Sequence, residues 1–287
     1  MIRQALADLL AYFLVPGAIA LLPCGTGMRV SRWVARRMRL FDADARATLA
    51  EAEKVAPVAD RDGWLERSRL MRMRDQVDMY HWLIWGDRWF RHHVIVEGQW
   101  PAAPFVSATF HWGGALWALH SLRRTTGGFA GVAAPPSWTA LRHRPILFIY
   151  VRLRTWVTAR LLGDGLVNPG AAARLLVRKL RGGTAICGLW DAPVRPGDKT
   201  LASTLQGKVL TLPRGLPALA AREHLALVPF HAHTDAHTGK VHLVIEPAVN
   251  PESELAGADA LAARLDYLIR TEPAYWHHWY LMNLDNQ

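Results

Sequence analysis

The chain has 287 residues, 51% of them hydrophobic and 20% charged, with a formal net charge of +10. That balance excludes a disordered or fibrous protein and leaves room for one large core domain with an appendage. Two cysteines, Cys24 and Cys187, exclude a disulfide framework and fit a reducing compartment.

The positive charge is local. Arg29, Arg32, Arg36, Arg37 and Arg39 directly follow an apolar stretch, a position that suits an anionic membrane surface better than nucleic acid. That stretch, Ala5 to Pro23, has Asp8 as its one charge and is interrupted at Pro16-Gly17. At ~1.5 Å per residue it is just long enough for a hydrocarbon layer of ~30 Å. With the arginines behind it rather than ahead of it, it reads as an uncleaved N-terminal membrane-anchoring helix within residues 1–40, everything downstream lying in the cytoplasm. The Pro-Gly break leaves open a helix lying in the membrane interface. The 13 tryptophans fit either a membrane interface and lipid-contacting grooves or a Trp-rich core.

Asp42 to Lys54 and Gly63 to Trp89 read as helices, the second carrying Trp64, Leu65, Leu70, Met73, Val77, Tyr80 and Ile84 at helical spacing. From His92 onward strands and helices alternate. Strands are predicted at Val94 to Val96, Phe105 to Phe110, Phe129 to Ala134 (ended by Pro135-Pro136), Thr184 to Leu189, Leu225 to Phe230 and Val241 to Glu246. Between them helices are predicted at Ala115 to Arg123, Leu147 to Leu162, Ala171 to Arg181 (closed by Gly182-Gly183) and Leu216 to Arg222. A last helix, Asp259 to Arg270, precedes the aromatic tail Tyr275 to Tyr280. The order predicts an α/β fold, a mixed β-sheet flanked by helices, in one domain over residues 41–287.

Few spacings carry chemistry. His231, His233, His237 and His242 cluster near a predicted hairpin with only Asp235 and Glu246 for company, and His277-His278 sit between tryptophans; neither set reads as a metal site. No phosphate loop, dinucleotide fingerprint or nucleophile elbow occurs. What remains is His111, which ends a predicted buried strand and is followed by Trp112, Gly113 and Gly114. Open α/β sheets place ligands at that carboxyl edge. Asp191 ends a later strand and shares the edge if the two strands are parallel. A histidine there can act as general base, with basic side chains and backbone amides supporting developing negative charge.

The same features, in order, resemble the lysophospholipid acyltransferase superfamily, and within it the lipid A late acyltransferases. The likeness runs through Leu21-Leu-Pro23, Met28-Arg-Val-Ser-Arg-Trp33, Val94-Ile-Val-Glu-Gly98 and Ala108-Thr-Phe-His-Trp-Gly113. It continues through Leu180-Arg-Gly-Gly183, Thr211-Leu-Pro-Arg-Gly215, Leu227-Val-Pro-Phe230 and Tyr275-Trp-His-His-Trp279. The resemblance implies a glycerolipid acyltransferase-like fold at the cytoplasmic face of an inner membrane, with acyl carrier protein and a membrane lipid as partners. It implies transfer of a fatty acyl group from an acyl carrier protein or coenzyme A thioester to a glycolipid, lipid A-like or carrier-bound metabolite acceptor. No cofactor or metal is implied beyond the acyl donor.

In that family a histidine and an acid five positions later form an H-x4-D/E pair. His111 matches the histidine, but Leu116 stands where the acid should be. The one literal match, His92 to Glu97, spans an odd offset on a strand, which turns the two side chains to opposite faces. Asp191 is the first candidate to replace the acid, ahead of Asp87 and Glu97. An acceptor needing less base assistance, a noncatalytic lipid- or carrier-binding relative and a thioester hydrolase stay open. The family's basic residue maps best to Arg160, with Arg152 and Arg154 as rivals, and Arg195 and Arg214 are candidates for a substrate phosphate.

Overall fold

Element boundaries follow local rules in the computed structural model, which describes residues 2–132, 137–167, 172–194 and 197–286. The apolar stretch is helical from Ile2 to Ala20, as α1 (Ile2–Leu9), a π-helical turn (Leu10–Leu14) and α2 (Val15–Ala20). Pro16, in the first turn of α2, has no N–H to give the preceding turn, and the wider turn ahead of it absorbs the break. The arginine cluster lies on α3 (Cys24–Arg37), a helix not foreseen in the sequence, and α4 (Asp42–Glu53) follows. The expected helix through Trp89 is two, α5 (Arg61–Trp85), capped by Asp60, and α6 (Asp87–His93), because Gly86 interrupts it.

The rest alternates: β1 (Val94–Glu97), β2 (Val106–Thr109), α7 (Leu116–Thr126), β3 (Phe129–Val132), α8 (Trp138–Leu141), α9 (Pro145–Leu162), β4 (Leu166–Val167), α10 (Ala172–Arg181), β5 (Ala185–Leu189), β6 (Thr200–Leu205), β7 (Lys208–Pro213), α11 (Gly215–Arg222), β8 (Leu227–Thr234), β9 (Val241–Ile245) and α12 (Glu254–Thr271). Ala134 and Pro135-Pro136, expected to end the third strand, lie outside the described residues. Seven strands form one sheet in the order β1-β9-β8-β2-β5-β3-β4. All neighbours are parallel except the hairpin β8–β9. The chain is therefore α/β with a mostly parallel sheet covered by helices.

Strand β2 is central, buried on both faces, with β8 on one side and β5 on the other. Its one buried hydroxyl at the middle, Ser107, is satisfied by donating to the Ile186 carbonyl at 3.0 Å. Two hydrophobic layers enclose the sheet, one built on α12, β6, β7 and the C-terminal tryptophans, the other on α6, α7 and the β8–β9 hairpin. The β6–β7 hairpin is absent from the sequence reading, although Leu205, Leu210 and Leu212 alternate inward from it. Eight tryptophans are buried, so the core accounts for most of them; Trp33, Trp85, Trp138 and Trp156 are exposed.

The N-terminal helices pack lengthwise on the rest of the chain. Tyr80 donates its hydroxyl to the Tyr12 carbonyl at 2.7 Å, Trp85 its indole N–H to that of Ala20 at 3.0 Å, and Arg144 grips the buried Asp8 with two hydrogen bonds. By length and composition Ile2–Ala20 is apolar enough to cross a membrane. Ile2, Leu6 and Leu14 are exposed on it, as are Leu21 just after it, Ile84 and Trp85 on α5, and Ile149 and Trp156 on α9.

Two histidines outside the sheet edge are buried neutral. Burial, with Arg74 nearby, pushes His81 down to about 4 against the Trp89 ring stacked on it at 3.4 Å. Burial, then Arg264 and His233, pushes His231 down to about 3. Below about pH 6.5 the unfolded chain binds protons that these two folded-state rings refuse, so stability is intact above that pH and lost as pH falls. The expected loss is roughly 3 kcal/mol per pH unit between about pH 6 and 4. Urea unfolding at pH 7, 6 and 5 checks it; a flat profile would show that neither ring is held neutral.

Candidate active site

The register of the parallel pair builds the site. Thr109 pairs with Leu189, and Trp190 N donates to the Thr109 carbonyl at 2.9 Å, so residues two further along each strand arrive side by side. They are His111 and Asp191. The His111 backbone N–H donates to both carboxylate oxygens at 2.9 Å, and ring Nδ1 lies 2.9 Å from Oδ1. The Trp276 indole N–H donates to Oδ2 at 2.8 Å.

Asp191 is fully buried. Burial alone would raise its carboxyl, but the His111 hydrogen bond, the charges of His111 and His278, and the Trp276 N–H outweigh it and hold the group below the usual carboxylate range. An ionised carboxylate only accepts, so Nδ1 of His111 carries the proton and Nε2 is left as the basic nitrogen. The His111 side chain is 29% exposed, and among the described residues nothing hydrogen-bonds to Nε2. The arrangement is one in which an imidazole can act as a base, with a carboxylate fixing its other nitrogen.

The C-terminal tail completes the surroundings. His277 N donates to the His111 carbonyl at 2.9 Å, and Gly113 N to that of Tyr275 at 3.2 Å. The His278 ring stacks on the His111 ring, centroids 3.8 Å apart and planes 28° from parallel, while its Nδ1 donates to the Asp191 carbonyl at 3.0 Å. Burial first, then the neighbouring His111 charge, lowers His278 below the usual histidine range, so it is neutral at pH 7. Burial and the charge of Arg72 lower His277 further still.

His111, Asp191 and His278 each bring a potential metal-ligand atom within 4.8 Å of the others. The fit to an ion is poor, because the Asp191 oxygens already accept three N–H groups and rings stacked this nearly parallel aim their lone pairs alongside one another instead of at one point.

Several expected residues lie elsewhere. Leu116 begins α7 and is buried beside Met79, Tyr150, Val157 and Leu161, surroundings in which a carboxylate would have no partner. Asp87 is bound to His120 at 2.7 Å and to Arg124, and Glu97 is within 3.3 Å of His242, so neither reaches His111. Trp112 is buried, its N–H donated to the Glu272 carbonyl at 3.0 Å and its ring set edge-on against His231 and His233; it is a wall of the site, not a substrate contact. The Gly113 and Gly114 amides are likewise spent, on the carbonyls of Tyr275 and Ala232, and offer no oxyanion contact.

The arginines change places. Arg160 lies exposed over the Trp156 ring at 4.9 Å, Arg152 near Phe148, and Arg214 pairs with Glu254 at 3.3 Å. Arg195 lies outside the described residues. Arg154 is the rival brought near: it pairs with Asp75 at 2.8 Å, and Asp75 Oδ1 lies 3.7 Å from where a side chain on Gly114 would begin. Arg72, missed in the sequence, sits one turn before Asp75, donates to Thr48 at 2.9 Å and keeps a buried Nε without a partner among the described residues. Its sole sequence signal was its place on a helix read as core.

Gly113 is forced by both conformation and contact. Its φ is 69°, and a Cβ there would lie 2.1 Å from the Ala232 carbonyl oxygen; Gly127 has a similar φ of 72° but open space around it. Gly127→Ala should therefore cost about 1 kcal/mol and Gly113→Ala about 3 kcal/mol or more, read as urea midpoints. Equal costs would mean that the backbone approach at Gly113 relaxes freely.

Comparison with protein-family models finds no match, and no curated protein is significantly similar to the chain.

Proposed function

We propose that the chain is a membrane-associated acyltransferase of the kind the sequence resembles, with His111 as general base and Asp191 in the place of the missing motif acid. The observation that carries this reading is the buried Asp191 carboxylate on Nδ1 of a half-exposed His111 at the carboxyl edge of a mostly parallel sheet. Nε2 takes the proton of an acceptor hydroxyl as its oxygen attacks the thioester carbonyl carbon. The C–O bond forms, the C–S bond breaks, and the His111 imidazolium returns the proton to the departing thiolate. The donor is an acyl carrier protein or coenzyme A thioester, and the acceptor a glycolipid, lipid A-like or carrier-bound hydroxyl. Arg154 and Arg72 supply the positive charge near the reacting centre that was assigned to Arg160.

Purified protein, radiolabelled acyl carrier protein and a panel of acceptors test it. His111→Ala should abolish transfer, and Asp191→Asn should lower it by roughly 10²–10⁴-fold, the range in which loss of an orienting carboxylate falls. Equal turnover in wild type and His111→Ala removes the histidine from the mechanism. Free fatty acid formed without any acceptor marks a hydrolase, and no turnover a binding protein.

The protein meets the cytoplasmic face of an inner membrane with the helix Ile2–Ala20 flat in the interface. Its tethers through Asp8 and Ala20, the exposed Ile2, Leu6 and Leu14 along it, the exposed Trp85 bound to Ala20, and the adjacent arginines of α3 support that arrangement. Replacing Arg29, Arg32 and Arg37 by Ala should weaken binding to anionic vesicles by about 10²-fold, at roughly 1 kcal/mol per arginine. Unchanged cosedimentation would exclude this face.

A further inference from the structure

Asp191 holds His111 at Nδ1 and at the backbone N–H, but a hydrogen bond at one ring nitrogen leaves the ring able to rock about that contact. What fixes the plane of the ring is the imidazole lying on it. His278 is itself tied down at three places: Nδ1 to the Asp191 carbonyl, the preceding residue's N–H to the His111 carbonyl, and its ring to the tilted ring of Tyr280, centroids 5.2 Å apart. One residue, Asp191, thus anchors both rings, His111 through its carboxylate and His278 through its backbone.

We infer that His278 is a positioning residue for the general base, a stacking partner that fixes the direction of the His111 Nε2 lone pair. The inference rests on the acyltransferase reading for its kinetic consequence and on geometry for its structural one. A neutral ring suits the role. As His111 takes up a proton during the reaction, an uncharged aromatic face at 3.8 Å tolerates the new positive charge, whereas a protonated neighbour would oppose it. The groups facing the pair from the packed elements are His277, Arg72, the Asp191 carboxylate and the Arg154–Asp75 ion pair; the His111 and Arg72 charges disfavour a second proton on His278, Asp191 favours one, and burial, the largest influence, keeps the ring neutral.

The test compares His278→Ala, which loses ring and hydrogen bond, with His278→Phe, which keeps a flat aromatic face and loses the hydrogen bond. Misaiming a base by about 1 Å costs on the order of 10²-fold. His278→Ala should lower kcat by roughly 10–10²-fold with KM within about twofold, and His278→Phe should recover most of it. Independently of activity, the order parameter of the His111 Cε1–H bond by NMR should fall in His278→Ala and stay near wild type in His278→Phe. If the wild type transfers no acyl group, the functional reading fails and the order parameter alone decides the positioning role. A kcat and an order parameter unmoved in His278→Ala, or a loss shared equally by His278→Phe, overturns the inference. Circular dichroism on both variants separates a fold defect from a local one.

Discussion

One buried negative charge organises the functional end of this protein. A carboxylate out of contact with water is costly unless hydrogen bonds and opposite charge compensate it, and a lone one would simply protonate. Asp191 is compensated by the backbone and ring N–H of His111 and the indole of Trp276, with the His278 ring beside it. These donors come from just beyond β2 and from the C-terminal tail, and the carboxylate itself lies just beyond β5. The carboxylate therefore locks three distant parts of the chain together, and locks them only while it is ionised. Structure and chemistry share the same atoms here, since the groups that stabilise the charge include the one whose basicity it directs.

The placement follows from topology before side chains enter. A central strand flanked by β8 on one side and β5 on the other opens a crevice at its carboxyl end, and parallel register brings position 111 opposite position 191. An acid five residues after His111 would stand at position 116, the start of α7, inside the apolar cluster that holds Leu116. Moving the acid to the adjacent strand keeps it on the rigid sheet, where its distance from the histidine is set by the strand spacing rather than by a helix start.

How much of this was legible in the sequence depends on the range of the signal. His111 and Asp191 were visible because each ends a short apolar run, a local pattern, and parallel pairing then does the rest. The sequence preferred Arg160 to Arg154 because helix α9 is apolar almost all round, so periodicity cannot say which of its arginines turns inward; Asp75, which holds Arg154, lies 79 residues away. His278 looked structural in a run of tryptophans, since nothing local says that the tail returns to lie on β2 and β5. The hairpin β6–β7 was missed despite its alternation, and Gln206 and Gly207, both at positive φ, mark the tight turn that joins its strands. The N-terminal stretch was correctly seen as helical and apolar, while its packing along α5 and the start of α9 depended on Tyr80, Trp85 and Arg144, none of them near it in the chain.

The central claim is that Asp191 sets the tautomer of His111. Nitrogen-15 NMR of histidine-labelled protein at neutral pH reads that directly. The account predicts that the uncharged form of the His111 ring is protonated at Nδ1 with a free Nε2, and that this single tautomer is lost in Asp191→Asn. A His111 ring protonated at Nε2, or a tautomer unaffected by Asp191→Asn, would contradict it.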